Sequence, residues 1–234
     1  MTDEALEVLR ARRAPLRLVI FDCDGVLVDS EPVVNRAVAA ELTRLGWPMT
    51  GAECQVRFLG LSLAAMMPLI ETQLGRPLPA QWDRDLENRL VTVLSKEVEL
   101  IPGAAAMLAD VTRLGLPWRV ASNSSHAELG AKFGRNGLAD MVAGRLHSHH
   151  DVPRGKPAPD LFLAAAAAEG VPPHACLVIE DSVPGVRAAM AAGMTCLGFC
   201  PDGDGAHLRA EGAAPFHALP DLPALLRVAQ TCCA

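Results

Sequence analysis

The sequence predicts an α/β fold: a parallel sheet core with helices on both faces, interrupted once by an all-helical insert. Three observations predict it. Short aliphatic runs alternate with helical segments, as βα units require. The helical segments stop at glycine, which accepts the left-handed conformation past a helix end. Between residues 31 and 100 the alternation lapses and only helical patterns remain.

Taken in order, residues 1–13 mix Asp3, Glu4 and Glu7 with Arg10, Arg12 and Arg13. This reads as a short surface helix or a frayed tail, not as an export signal, which places basic residues ahead of an apolar core. The sheet core is expected from residues 14–30 and 101–225. Its candidate strands are Leu18 to Asp22, Trp118 to Ser122, Met141 to Arg145, Cys176 to Glu180 and Thr195 to Phe199. Helices are expected over Ala104 to Leu114, Asp160 to Glu169 and Val183 to Ala192, each followed by a glycine (Gly115, Gly170, Gly193). In the insert, residues 31–100, Val34, Ala37, Val38, Leu42 and Leu45 recur at helical spacing before Gly46. Thr50 and Glu53 have capping-box form, Ser62 is placed to cap a third helix, and a fourth runs from Gln81 to Glu97.

Composition bounds the function. The 234 residues allow one good-sized domain with an insert, or two small ones, able to bury about 70 to 75% of the unfolded surface. A net charge of -6 argues against general nucleic-acid binding, which relies on a basic footprint. The apolar runs fall short of the roughly 18 residues a membrane span needs. The seven cysteines (Cys23, Cys54, Cys176, Cys196, Cys200, Cys232, Cys233) are odd in number and lack a C-x-x-C pair, which suggests neither a disulfide framework nor a zinc site and fits a reducing cytoplasm. Nothing in the sequence fixes the oligomeric state.

The chemistry begins at Leu18 to Ser30, LVIFDCDGVLVDS. Alternation along an extended chain directs Asp22 and Asp24 to the same side at the carboxyl end of a strand, where ligands of parallel sheets sit. Two carboxylates so close repel unless a cation holds one and the other works as acid or base. An isolated D-x-D is commonly a solvated turn, but this one has company. Ser122 and Asn123 end a second strand, Lys156 lies in a loop ahead of a helix, and Glu180 and Asp181 end a further strand. Together they supply a nucleophile, an acid/base, hydroxyl donors, a cation and metal ligands, the set that phosphoryl transfer uses. Lys156 gains weight because the chain has only three lysines, Lys96, Lys132 and Lys156.

In these motifs the chain resembles the haloacid-dehalogenase superfamily, in particular its branch of sugar phosphatases and beta-phosphoglucomutases. The resemblance runs from Leu16 to about Pro201 and matches four motifs in order: Asp22-Cys23-Asp24-Gly25-Val26, Ser122-Asn123, Lys156-Pro157-Ala158-Pro159-Asp160 and Glu180-Asp181-Ser182-Val183-Pro184-Gly185. It implies a Rossmann-like core with the helical insert as a cap. It also implies that Asp22 attacks phosphorus, while Asp24 protonates the leaving oxygen and then activates water. Mg2+ would be held by Asp22, the Asp24 carbonyl and Asp181, with Glu180 assisting directly or through water. Ser122, Asn123 and Lys156 would bind the phosphoryl oxygens. The expected partner is a small phosphorylated metabolite, with no nucleic acid and no membrane.

Other readings carry expectations of their own. Ser122 is a candidate cap for a helix from Ser124 to Lys132. Cys23 is expected to pack into the core, Lys132 to be a bystander against which Lys156 can be judged, and His147, His149, His150 and Asp151 to form a surface loop. Substrate choice is expected to lie in cap residues such as Val34, Arg57, Phe58, Leu59 and Leu61. A phosphosugar mutase of the same family uses a histidine and an arginine in the cap, and the equivalent positions here are Val34 and Leu63. A non-catalytic phosphate-binding or receiver-like module is the alternative of a different class, and the cap argues against it because a lid serves to exclude water.

Overall fold

A computed structural model describes residues 2–12, 14–58, 61 and 63–231. The sheet grows from β1 (Leu18–Phe21), whose neighbours are β4 (Trp118–Ser122) and β6 (Cys176–Glu180). Outward from these lie β5 (Leu146–Ser148) on one side, and β7 (Thr195–Phe199) and β8 (Ala214–Phe216) on the other. The order is β5-β4-β1-β6-β7-β8, and every pairing is parallel. Side-chain alternation sends Val19 and Phe21 to one face and Leu18 and Ile20 to the other, all four fully buried. Both faces must therefore be covered. α6 (Ala104–Arg113), α7 (His126–Arg135), α12 (Leu222–Thr231) and α1 (Asp3–Arg10) contribute to the first, while α9 (Asp160–Ala168), α10 (Val183–Ala191) and α11 (Ala206–Arg209) cover the second.

The insert contains α2 (Glu31–Leu45), α3 (Gly51–Phe58), α4 (Leu63–Leu74) and α5 (Trp82–Glu97), and its apolar side chains continue the first core. Thr50 and Glu53 form the expected capping box, Glu53 Oε2 accepting from Thr50 N at 2.7 Å and Thr50 Oγ1 from Glu53 N at 3.2 Å. Glu41, 4% exposed, ties α2 to α5 by accepting from Trp82 Nε1 and Arg89, and accepts from Arg44 within α2. The chain enters and leaves the insert through a two-stranded antiparallel ribbon, β2 (Val28–Asp29) against β3 (Glu99–Leu100).

Several sequence expectations shift. The strand placed at Met141 to Arg145 is instead α8 (Ala139–Val142) followed, after a turn at Gly144, by β5. Leu138 and Val142, four apart and both buried, show the helical period that the adjacent apolar pair Met141 and Val142 obscured. β8 escaped notice because it is three residues long and contains Pro215, which is tolerated at a sheet edge. The segment read as a surface helix or frayed tail is α1, with Ala5 and Leu9 fully buried and Arg12 donating to the Cys176 carbonyl at 3.0 Å. The helix stops at Gly115, Gly170 and Gly193 are as expected, each with φ between +61° and +71°. Ser62, Cys232 and Cys233 lie outside the described residues. Among the described residues no helix is long and apolar enough to cross a membrane.

Candidate active site

The site lies where the central strands end. Asp22 follows β1, and its amide still bonds the Ile179 carbonyl at 2.9 Å, so the nucleophile candidate is pinned by the sheet ladder. The residue is 7% exposed, and its carboxylate accepts from Lys156 Nζ at 2.5 Å. The same ammonium donates to Glu180 Oε1 at 2.7 Å and lies 4.8 Å from the Phe162 ring centroid. Lys156 is held in place by Asn123: the Asn123 Oδ1 accepts from Lys156 N at 2.9 Å, and its Nδ2 donates to Lys156 O at 3.1 Å. The Asn123 side chain is thus committed to the lysine's own backbone.

Glu180 ends β6 fully buried. Besides Lys156 it accepts from Asp181 N, Ser182 N and Ser182 Oγ, and Ser182 caps α10 by accepting from Gly185 N. Asp22, Glu180 and Asp181 offer carboxylate oxygens within 4.8 Å of one another. Two glycines make room for them. A Cβ on Gly185 would fall 1.7 Å from Glu180 Oε1, and one on Gly25, at φ +80°, 1.8 Å from Asp181 Oδ2. Gly185→Ala is therefore expected to displace Glu180 and with it Lys156. A misplacement of this kind costs roughly 100-fold in kcat/KM, and overpacking costs about 1–3 kcal/mol of stability. Steady-state kinetics and thermal melting check both, and unchanged values would show that the glycine is not needed.

Crowding has an electrostatic consequence. Burial is the largest influence on Asp22 and raises its pKa; Lys156 pulls it down, and Glu180 and Asp24 raise it again, leaving it at about 7 against an ordinary 3.8. Asp181 is raised as well, by burial and then by Glu180 and Asp22. Asp22 and Asp181 both resist ionising beside Glu180, a crowding of carboxylates that a small divalent cation would relieve. All the ligands are oxygens, as Mg2+ prefers, so the donor set fits that ion.

Asp24 stands in a separate cradle. Its Oδ2 accepts from Ser122 Oγ at 3.1 Å and Ser124 Oγ at 2.9 Å, and its Oδ1 from Ser30 Oγ and from Lys132 Nζ at 2.6 Å. Burial would raise this carboxyl, but Lys132 and the hydroxyls outweigh it and hold it at about 2. Lys132 is thus no bystander: it is 2% exposed and paired to Asp24. Ser122 is 1% exposed and accepts from Ser124 N, whereas the cap of α7 is Ser125, in a capping box with Glu128. Lys132, Ser124 and Ser30 are the site residues that motif matching passed over. The available signal was composition, a rare lysine beside Leu129 and Phe133 on the buried side of α7.

Around this site the remaining expectations resolve individually. Cys23 packs fully buried in the core. Asp151 is engaged by His126 Nε2 at 2.7 Å and by the Ser148 amide at 2.8 Å. Of the cap residues named for specificity, Phe58 is buried against Trp47, Arg57 lies over the Trp47 ring, Val34 packs partly buried, Leu61 is exposed, and Leu59 lies outside the described residues.

A family profile described as haloacid dehalogenase-like hydrolase matches residues 16–193. The 6-phosphogluconate phosphatase of Escherichia coli K12 is 30% identical over 188 residues, which are 80% of this chain and 84% of that protein. A solved haloacid dehalogenase-like protein of Agrobacterium tumefaciens is 35% identical, with a TM-score of 0.75, covering 91% of this chain and 98% of its own. A hydrolase from Deinococcus radiodurans, solved with bound phosphate and sodium, is 33% identical, with a TM-score of 0.74 and coverages of 92% and 97%. The motif order, the strand-end carboxylates and these likenesses agree: the chain belongs to the haloacid dehalogenase-like hydrolases.

Proposed function

We propose that this phosphoric monoester hydrolase cleaves a small phosphate ester, a sugar phosphate or related sugar-acid phosphate, through an aspartyl-phosphate formed on Asp22, with residues 31–100 serving as the cap and residues 14–30 and 101–225 as the core. The observation that carries this reading is the Asp22 carboxylate held by Lys156 at 2.5 Å amid Glu180 and Asp181. The likeness to a 6-phosphogluconate phosphatase supports the substrate class.

In the first step an Asp22 oxygen attacks phosphorus and the ester P–O bond breaks, its electron pair leaving on the alcohol oxygen, which takes a proton from Asp24. In the second, Asp24 takes a proton from water, the resulting hydroxide attacks the aspartyl phosphate, and phosphate departs with the Asp22 carboxylate restored. Asp24 rests ionised at its pKa of about 2, the form suited to the second step. The charge of an arriving phosphate raises it toward the proton-bearing form that the first step needs. Lys156 neutralises the phosphoryl charge, and Ser122 donates to a phosphoryl oxygen once its hydroxyl turns from Asp24. When bound, Mg2+ would be held by Asp22, the Asp24 carbonyl and Asp181, with Glu180 alongside, and would add Lewis-acid stabilisation of phosphoryl charge.

The mutase reading has less support. Val34 and Leu63, at the positions where the family's mutases carry sugar-gripping groups, are both apolar and packed against the insert's core. A cytoplasmic setting is proposed on the cysteine pattern, since Cys23, Cys54, Cys176, Cys196 and Cys200 are all free thiols.

The test is a screen of sugar phosphates, 6-phosphogluconate, nucleotides and phosphoglycolate, scored by released inorganic phosphate. Turnover is expected with Mg2+, not in chelator, and poorly with Ca2+, whose looser coordination misplaces the nucleophile. Full activity in chelator would remove the metal from the mechanism. Interconversion of sugar phosphates without phosphate release would favour the mutase.

A further inference from the structure

Lys132 is an anomaly that the motifs leave unexplained. It sits on α7 between Leu129 and Phe133, is 2% exposed, and its one ion pair among the described residues is with Asp24. A methionine would fill much of the same space without the cost of desolvating an ammonium, so a buried lysine is not explained by packing alone. Its ammonium donates to Asp24 Oδ1 and to Ser124 Oγ, both at 2.6 Å, and Ser124 Oγ donates in turn to Asp24 Oδ2 at 2.9 Å. The three groups close a ring that grips both oxygens of one carboxylate.

The ring is braced from behind. The Ser125–Glu128 capping box fixes the first turn of α7. The Ser124 carbonyl accepts from the fully buried Ser148 hydroxyl at 2.7 Å. The Lys132 carbonyl accepts from Asn136 Nδ2 at 2.9 Å, and the same amide reaches the Val98 carbonyl at 3.3 Å. A charge carried on a rigid helix and aimed at one carboxylate sets where that carboxylate can stand.

We propose that Lys132, with Ser124, is a positioning residue that fixes the Asp24 carboxylate for proton transfer to the leaving oxygen. The proposal rests on the reading of Asp24 as the acid/base. Lys132 touches Asp24 and acts through it, whereas Lys156 holds the Asp22 carboxylate itself.

Two esters separate positioning from general damage. Phenyl phosphate has a poor leaving group that needs a proton, while dinitrophenyl phosphate expels a stable anion that needs none. For Lys132→Met, kcat/KM on phenyl phosphate is expected to fall roughly 30- to 100-fold, a share of the 100- to 10,000-fold that acid–base catalysis supplies. On dinitrophenyl phosphate the fall should stay within about threefold, since attack by Asp22 is untouched. In the Asp24→Ala background, adding Lys132→Met should change neither ester further. Equal losses on the two esters, or additive losses with Asp24→Ala, would overturn the positioning role and leave the acid/base reading standing. If Asp24→Ala itself keeps phenyl phosphate turnover, the acid/base reading fails, and the proposal with it. Should Lys132→Met not fold, Ser124→Ala, which removes one hydroxyl and no charge, carries the same comparison: a smaller but still ester-selective loss is expected, and a loss equal on both esters would overturn the proposal.

Discussion

Asp22→Asn is expected to lower kcat by roughly 10,000-fold or more while the protein stays folded, because the amide keeps the shape of the carboxylate but cannot form the acyl-phosphate bond. Quenched reactions of the parent chain should yield phosphate covalently attached at Asp22, and none in the variant. The stability effect has a definite sign. The Asp22 pKa is raised to about 7 from 3.8, so between those values the folded protein holds a proton that the unfolded chain releases. In the metal-free protein the stability associated with that proton is present below about pH 4 and is lost as pH rises through about 7. The melting temperature of the parent chain should therefore decline over this window, and that of Asp22→Asn should decline less. A variant that turns over substrate, or phosphate trapped on Ser122, would dismiss Asp22 as the nucleophile.

Lys156→Met is expected to cost more than any other single loss of a positive charge. It leaves Glu180, 0% exposed, without its counter-charge and removes the cation facing Asp22. Breaking a buried pair from one side costs about 3–5 kcal/mol, and withdrawing a charge aimed at the transferring phosphoryl group costs roughly 1,000-fold in kcat. Thermal melting and kinetics at saturating Mg2+ measure the two losses separately. A kinetic loss under tenfold in a folded variant would place Lys156 outside the chemistry. Lys132, expected from sequence to be an inert comparison, cannot serve as one, because it contacts Asp24.

The contrast between the two lysines shows what the sequence makes legible. Lys156 is readable because it stands in a loop next to a helix start, within a motif whose order along the chain is itself informative. The strands β6 and β7 and the helix stops at Gly115, Gly170 and Gly193 are readable because period and punctuation are local properties. Lys132 meets Asp24 across 108 residues, and only the packing of α7 against the core brings them together. Asn123 was visible in its motif but its structural partner was not: its side-chain amide bonds the backbone of Lys156, 33 residues on. The false strand at Met141 to Arg145 is a different kind of miss, a short apolar pair that fits either period until a tertiary contact decides.

The ribbon formed by β2 and β3 has a consequence for how such a chain can diversify. Val28 pairs with Leu100 and Asp29 with Glu99, so the two ends of the long excursion between them, residues 30–98, stand side by side. A tight hairpin turn could bridge that gap. The excursion therefore behaves as a graft: its length and lining can be exchanged while the chain on either side still arrives at the same two points. Novelty in ligand choice can accumulate there without re-registering the strands that carry Asp22 and Glu180.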